Sequence, residues 1–193
     1  GNTGMVNAVI EKRVDSLQLD QLVVHDIWAH LVDLHHIELK KNTRLIGILG
    51  HDVYQDFEVF IDFQSKVIVL TRVDKKGIRI DTLAPYEVPY DSMEFELRHH
   101  LIIVDTKVNN VRLKMILDSG AELNLIDRQV NRKVMDKFTI IKRVNLLGVG
   151  NKEVEVLAGV MNEVQCGNQF SEKMNTLLTS LDEINQSFDV NVQ

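Results

Sequence analysis

The chain has 193 residues, 45% hydrophobic and 26% charged, an ordinary globular composition with length for one good core or two small ones. Its formal charge of −6 speaks against a nucleic-acid binder, which needs a basic surface, and lends nothing to an anionic-membrane reading. The single cysteine, Cys166, excludes an internal disulfide framework, and no apolar run reaches the roughly 18 residues of a membrane span.

In chain order, residues 5–14 carry Val6, Ala8 and Ile10, an alternation suited to a half-buried strand. Leu17 and Leu19, then residues 23–28, read as further strands. A short helix is expected around residues 52–57. Residues 57–63 alternate cleanly, Gln64-Ser65-Lys66 makes a tight turn, and residues 67–70 complete a hairpin. The two prolines, Pro85 and Pro89, lie in a glycine-containing, mixed-charge stretch, so residues 75–91 read as a linker. Residues 101–104 and 111–117 are two more strands, joined by the turn-prone Asn109-Asn110. A second short helix is expected after Asn124. Many short strands and few helices predict a mainly β protein, a sandwich or barrel.

The chain also repeats itself weakly. A shift of 147 positions sets Leu17, Leu19, Val23, Ile27, Leu31, Leu34 and Ile37 on Val164, Cys166, Phe170, Met174, Leu178, Leu181 and Ile184, and Gln18 on Gln165, without a gap. The same shift sets Gly1-Asn2-Thr3-Gly4 beside Gly148-Val149-Gly150-Asn151, so the chain reads as starting and stopping mid-repeat.

The chemistry concentrates in Lys114-Met115-Ile116-Leu117-Asp118-Ser119-Gly120-Ala121. An apolar strand runs into an aspartate, where an unpaired buried carboxylate would be costly. Ser119 offers a local hydrogen bond and Gly120 permits a sharp turn or a close backbone approach, which together present Asp118 rigidly from a β scaffold. A second unusual run is Gly47-Ile48-Leu49-Gly50-His51-Asp52, whose bland reading is a buried strand needing small residues for packing.

Leu117-Asp118-Ser119-Gly120-Ala121 resembles the hydrophobic-Asp-Thr/Ser-Gly-Ala motif of retropepsin-like and pepsin-like aspartic proteases, including bacterial aspartyl protease-like domains. Gly47-Ile48-Leu49-Gly50, with the short helix and hairpin after it, is similar to the segment that closes the same fold. Gly148-Val149-Gly150-Asn151 resembles the glycine-rich flap, and residues 1–10 a second flap. The resemblance implies an acid-protease-like closed β-barrel, with Asp118 as catalytic carboxylate, Ser119, Gly120 and Ala121 as its turn, residues 148–151 binding substrate, and residues 47–50 as structural support. In the family order, the aspartate motif precedes the flap and the Gly-Ile-Leu-Gly segment. Here that segment comes first. The domain reading is therefore the C-terminal part of one lobe (1–74), a linker (75–91), and the N-terminal part of a second lobe (92–193).

The resemblance further implies a peptide or protein substrate, no cofactor or metal, and a dyad of carboxylates sharing one proton. One Asp-Ser-Gly occurs, so the second aspartate is expected from another chain, with a homodimer placing two copies of Asp118 across a two-fold axis, or from sequence outside these residues. A trimmed leader would place the chain in a bacterial envelope or outside the cell; without one it reads as cytoplasmic. A non-catalytic peptide-binding or structural module is the competing function. Other candidates read blandly. Neighbouring residues on a strand face opposite ways, which spoils His35-His36 and His99-His100 as ligand pairs. Asp26, Asp33 and Asp182 read as solvated. Gly148-Val149-Gly150 is no dinucleotide fingerprint, and Ser119 lacks a nucleophile elbow.

Overall fold

The computed structural model describes residues 10–81, 88–147 and 153–193. Strands and bridges take 51% of the described residues and helices 13%, a mainly β structure. The described residues divide into an N-terminal unit within Asn7–Val88 and a C-terminal unit, Pro89–Gln193.

The N-terminal unit holds two separate hairpins. Strands β1 (Glu11–Leu19) and β2 (Leu22–His30) pair antiparallel through a turn at Asp20, which sits at φ 52°. Helices α1 (His35–Lys41) and α2 (His51–Tyr54) follow. Strands β3 (Phe57–Asp62) and β4 (Val67–Arg72) form the second hairpin, and Asp62 accepts the Gln64 and Ser65 N–H groups to shape its turn. The stretch expected to be linker is partly structured: Ile80 N–H donates to Arg72 O, and Arg79 ion-pairs with Glu58. Among the described residues of this unit, Val53 is the one buried apolar side chain. Among the described residues neither hairpin has a third strand, and two-stranded pieces are marginal alone.

The C-terminal unit is built on one seven-stranded sheet. Its strands are β5 (Glu96–Arg98), β6 (Leu101–Val108), β7 (Val111–Leu117), β8 (Asn124–Asp127), β9 (Phe138–Leu147), β10 (Glu153–Cys166) and β11 (Gln169–Thr179), with helices α3 (Arg132–Met135) and α4 (Asp182–Phe188). The β6–β7 turn uses Asn109 and Asn110, both left-handed at φ 50° and 61°, as Asn-rich two-residue hairpin turns require. The order is β5-β6-β10-β11-β8, with β7 on β6 and β9 on β10. All pairs are antiparallel except β8–β11, which is parallel. Val108, Leu113, Ile126, Val134 and Met161, each 2% exposed or less, centre the main core. A smaller cluster of Ile103, Leu181 and Val192 sits under Ile116 and Leu125.

Three expectations change. Among the described residues no sheet closes into a barrel, because β8 and β5 end the strand path unjoined. The segment from Asn124 is a strand, not a helix; its run pairs with distant β11, and the helix comes later at α3. The histidine pairs are not on strands: His35 and His36 open α1, and His99-His100 turn between β5 and β6.

The repeat extends to local geometry. Leu17 pairs with Val24 in one hairpin and Val164 with Ser171 in the other, the same register after the shift of 147. Gln18 Nε2 donates to Asp20 O at 3.1 Å, as Gln165 Nε2 does to Gly167 O at 3.1 Å. Both α1 and α4 are seven residues long and end on a left-handed residue, Asn42 or Asp189. A side-chain oxygen inside each helix then takes the following backbone: Leu45 N–H donates to Glu38 Oε1 at 2.7 Å, and Val192 N–H to Asn185 Oδ1 at 2.9 Å.

Candidate active site

Strand β7 carries the candidate site to its end. Leu113 is buried and Met115 half-buried in the main core, and Ile116, on the opposite face, is half-buried against the smaller cluster, so both faces of the strand are held. Pairing with β6 holds the register up to Leu117, opposite Ile102. The chain then leaves the sheet at Asp118 and turns. Ala121 N–H donates to Asp118 O at 3.2 Å, and Gly120 N–H donates to Asp118 Oδ1 at 2.8 Å. The aspartate thus folds its side chain onto its own turn, a local bond Asp favours. A Cβ at Gly120 would stand 3.3 Å from that same carboxylate oxygen, so glycine leaves the carboxylate its room.

Asp118, Ser119, Gly120 and Ala121 are all exposed, and so are Leu117 and Leu123 on either side. The site is a solvent-facing carboxylate flanked by apolar side chains. The expected flap, residues 148–151, lies outside the described residues; the strands that lead to and from it, β9 and β10, are paired from Leu147–Glu153 inward. Gly47-Ile48-Leu49-Gly50 belongs to the N-terminal unit as extended chain before α2. It is not the buried strand of the bland reading: Ile46 and Ile48 are exposed, and no atom lies within 4 Å of a Cβ built at Gly47 or Gly50.

Compared with protein-family models, curated proteins and solved structures, the chain matches none.

The other candidates have structural work. Asp26 pairs with Arg13 across β1–β2, Asp33 accepts the His35 N–H at 2.8 Å, and Asp182 accepts from Ser180 Oγ at 2.5 Å. Burial pushes the Cys166 thiol up from its ordinary range, and its sulfur lies 3.7 Å from that of Met93. Among the described residues, no three His, Cys, Asp or Glu side chains gather as a metal-ligand set. A groove of about 430 Å³ in the C-terminal unit is lined by Glu96, Arg98, Arg112, Lys114 and residues 189–193, and does not include Asp118.

One important carboxylate was not singled out from sequence. Asp127, 6% exposed, accepts the Gln129 N–H at 2.6 Å and the Leu181 N–H at 2.9 Å, tying the end of β8 to the start of α4. The sequence signal was an Asp closing an apolar run, Leu125-Ile126-Asp127, the same pattern that drew attention to Asp118.

Proposed function

We propose that the chain is an aspartic-type endopeptidase in which Asp118 is one of two carboxylates that activate water against a peptide bond. The observation that carries the reading is the turn at the end of β7: a carboxylate held by the Gly120 N–H, open to solvent and flanked by Leu117 and Leu123. Activating water at such a site needs a second carboxylate close by, so that one proton is shared and the apparent pKa values belong to the pair. These 193 residues hold one Asp-Ser-Gly, so the partner aspartate comes from another chain, as in a homodimer about a two-fold axis, or from sequence outside them. In this reading the two units are portions of acid-protease-like lobes, the C-terminal part of one preceding the N-terminal part of the next. A barrel would need strands from both parts of a lobe, which fits the open sheets of the separate units.

A second reading is a non-catalytic peptide-binding module, favoured by the lone motif and the exposure of its aspartate. The test is incubation of an unfolded protein with the chain at acid pH, with fragments read by mass spectrometry with and without pepstatin. Pepstatin-sensitive fragments support the peptidase. Peptide binding by calorimetry without fragments at any pH supports the module.

A further inference from the structure

The two repeats differ in one respect: what covers them. In the C-terminal unit, β10, β11 and α4 press their apolar face onto β6, β7, β8 and α3. Met161 is 0% exposed there, and its repeat counterpart Val14 is 37% exposed. Val164, Leu181 and Val192 are buried, whereas their counterparts Leu17, Leu34 and Leu45 are only half-buried. The N-terminal unit therefore keeps the hairpin, helix and cap of the repeat, but among its own described residues no segment corresponds to β6–α3. Leaving such a face in water forfeits about 25 cal/mol for each Å² of apolar surface.

We propose that the face made by β1, β2 and α1 is a docking surface for a segment of the β6–α3 kind: two antiparallel strands, a third short strand and a short helix, presenting alternating apolar side chains. The proposal rests on the repeat and is independent of the peptidase reading. The occupied face of the C-terminal unit supplies the template, register by register. A second copy of the chain is a poor occupant by count. Each chain has two such faces and one β6–α3 segment, already engaged by its own β10, β11 and α4, so any exchange between copies leaves as many faces open as before. The partner strand next to β1 must also differ from β9. Gly159 lies under Phe138, where a Cβ would come within 2.6 Å of the ring, and its counterpart is Lys12. The match therefore covers β6 to α3 and stops before β9.

The experiment fuses a second copy of residues 92–136 ahead of the whole chain through a Gly/Ser linker of about twenty residues, long enough to span a lost strand. Hydrogen exchange is followed at Leu17, Leu34 and Leu45. Docking predicts that exchange at these amides slows by at least about tenfold, while Val164, Leu181 and Val192 are unchanged. A fusion whose added copy carries Leu113→Asp should give no slowing. The same fusion with Leu34→Asp in the chain should also lose protection, and dye binding to exposed apolar surface should stay high. Unchanged exchange in the plain fusion overturns the proposal. So does concentration-dependent protection of Leu17 and Leu34 in the unfused chain, which would make a second copy the occupant.

Discussion

Asp118 and Asp127 stand at either side of the same short segment and have opposite surroundings. Asp118 faces solvent and is held by a single N–H of its own turn. Asp127 is buried and takes two backbone N–H groups, one of them from buried Leu181. Physical chemistry assigns them different work: a reacting carboxylate must be reachable, whereas a buried acceptor is retained because its donors would otherwise be orphaned. Asp127→Ala should therefore cost the C-terminal unit about 1–3 kcal/mol, read as a lower midpoint in urea, with little change in the turn at Asp118. Asp118→Asn should leave that midpoint within about 0.5 kcal/mol, as expected of an exposed side chain.

Among the elements, hairpins were the most legible. Residues 57–70 and 101–117 combine alternation with turn residues, and both pairs formed as β3–β4 and β6–β7. The helices α1 and α4 were not anticipated, although Leu34–Ile37 and Leu181–Ile184 carry a helical spacing. Each is two turns long with a leucine at the N-cap, and the polar residue that takes the first helical N–H, Asp33 or Ser180, stands one position earlier than the usual start signal. The strand nature of β8 depends on a parallel partner far along the chain, which periodicity does not reveal. The bulge on β9 was equally hidden: Ala158 pairs with Lys142 and Gly159 with Ile140, leaving Ile141 extra. Gly159 has no room for a methyl group, with Thr139 O 2.3 Å from a built Cβ. Gly159→Ala should destabilise the C-terminal unit by at least about 1–3 kcal/mol, whereas Gly47→Ala, with open space around it, should move the midpoint by less than about 0.5 kcal/mol. Equal effects of the two substitutions in denaturant titrations would contradict this account of the strand packing.

At the scale of the whole molecule, exposed carboxylates of the C-terminal unit link its stability to pH. Glu96 bridges Lys114 at 2.7 Å and Arg98 at 2.5 Å, and these bonds, Lys114 first, hold its carboxyl below the usual range. Gln169 and then Asn168 do the same for Asp91. A carboxyl depressed on folding stabilises the native state above its unfolded pKa, and the contribution fades as pH falls through the folded value. The thermal midpoint of the C-terminal unit should be flat above about pH 5 and decline below about pH 4, and Glu96→Gln should lower the plateau and soften the decline. A midpoint that rises on acidification would reverse the sign.

The motif and the repeat were legible at this scale because both are local patterns read along the chain. The open sheets and the exposed apolar side chains of the N-terminal unit were not, since they depend on which strands meet. The central claim is that Asp118 is the reacting carboxylate. The most direct measurement is the initial rate of cleavage of an unfolded protein at acid pH by the wild-type chain and by Asp118→Asn, at matched folded concentration. The account predicts a pepstatin-sensitive rate for the wild type and a loss of at least about a thousandfold in the variant. Equal rates from the two proteins would contradict it.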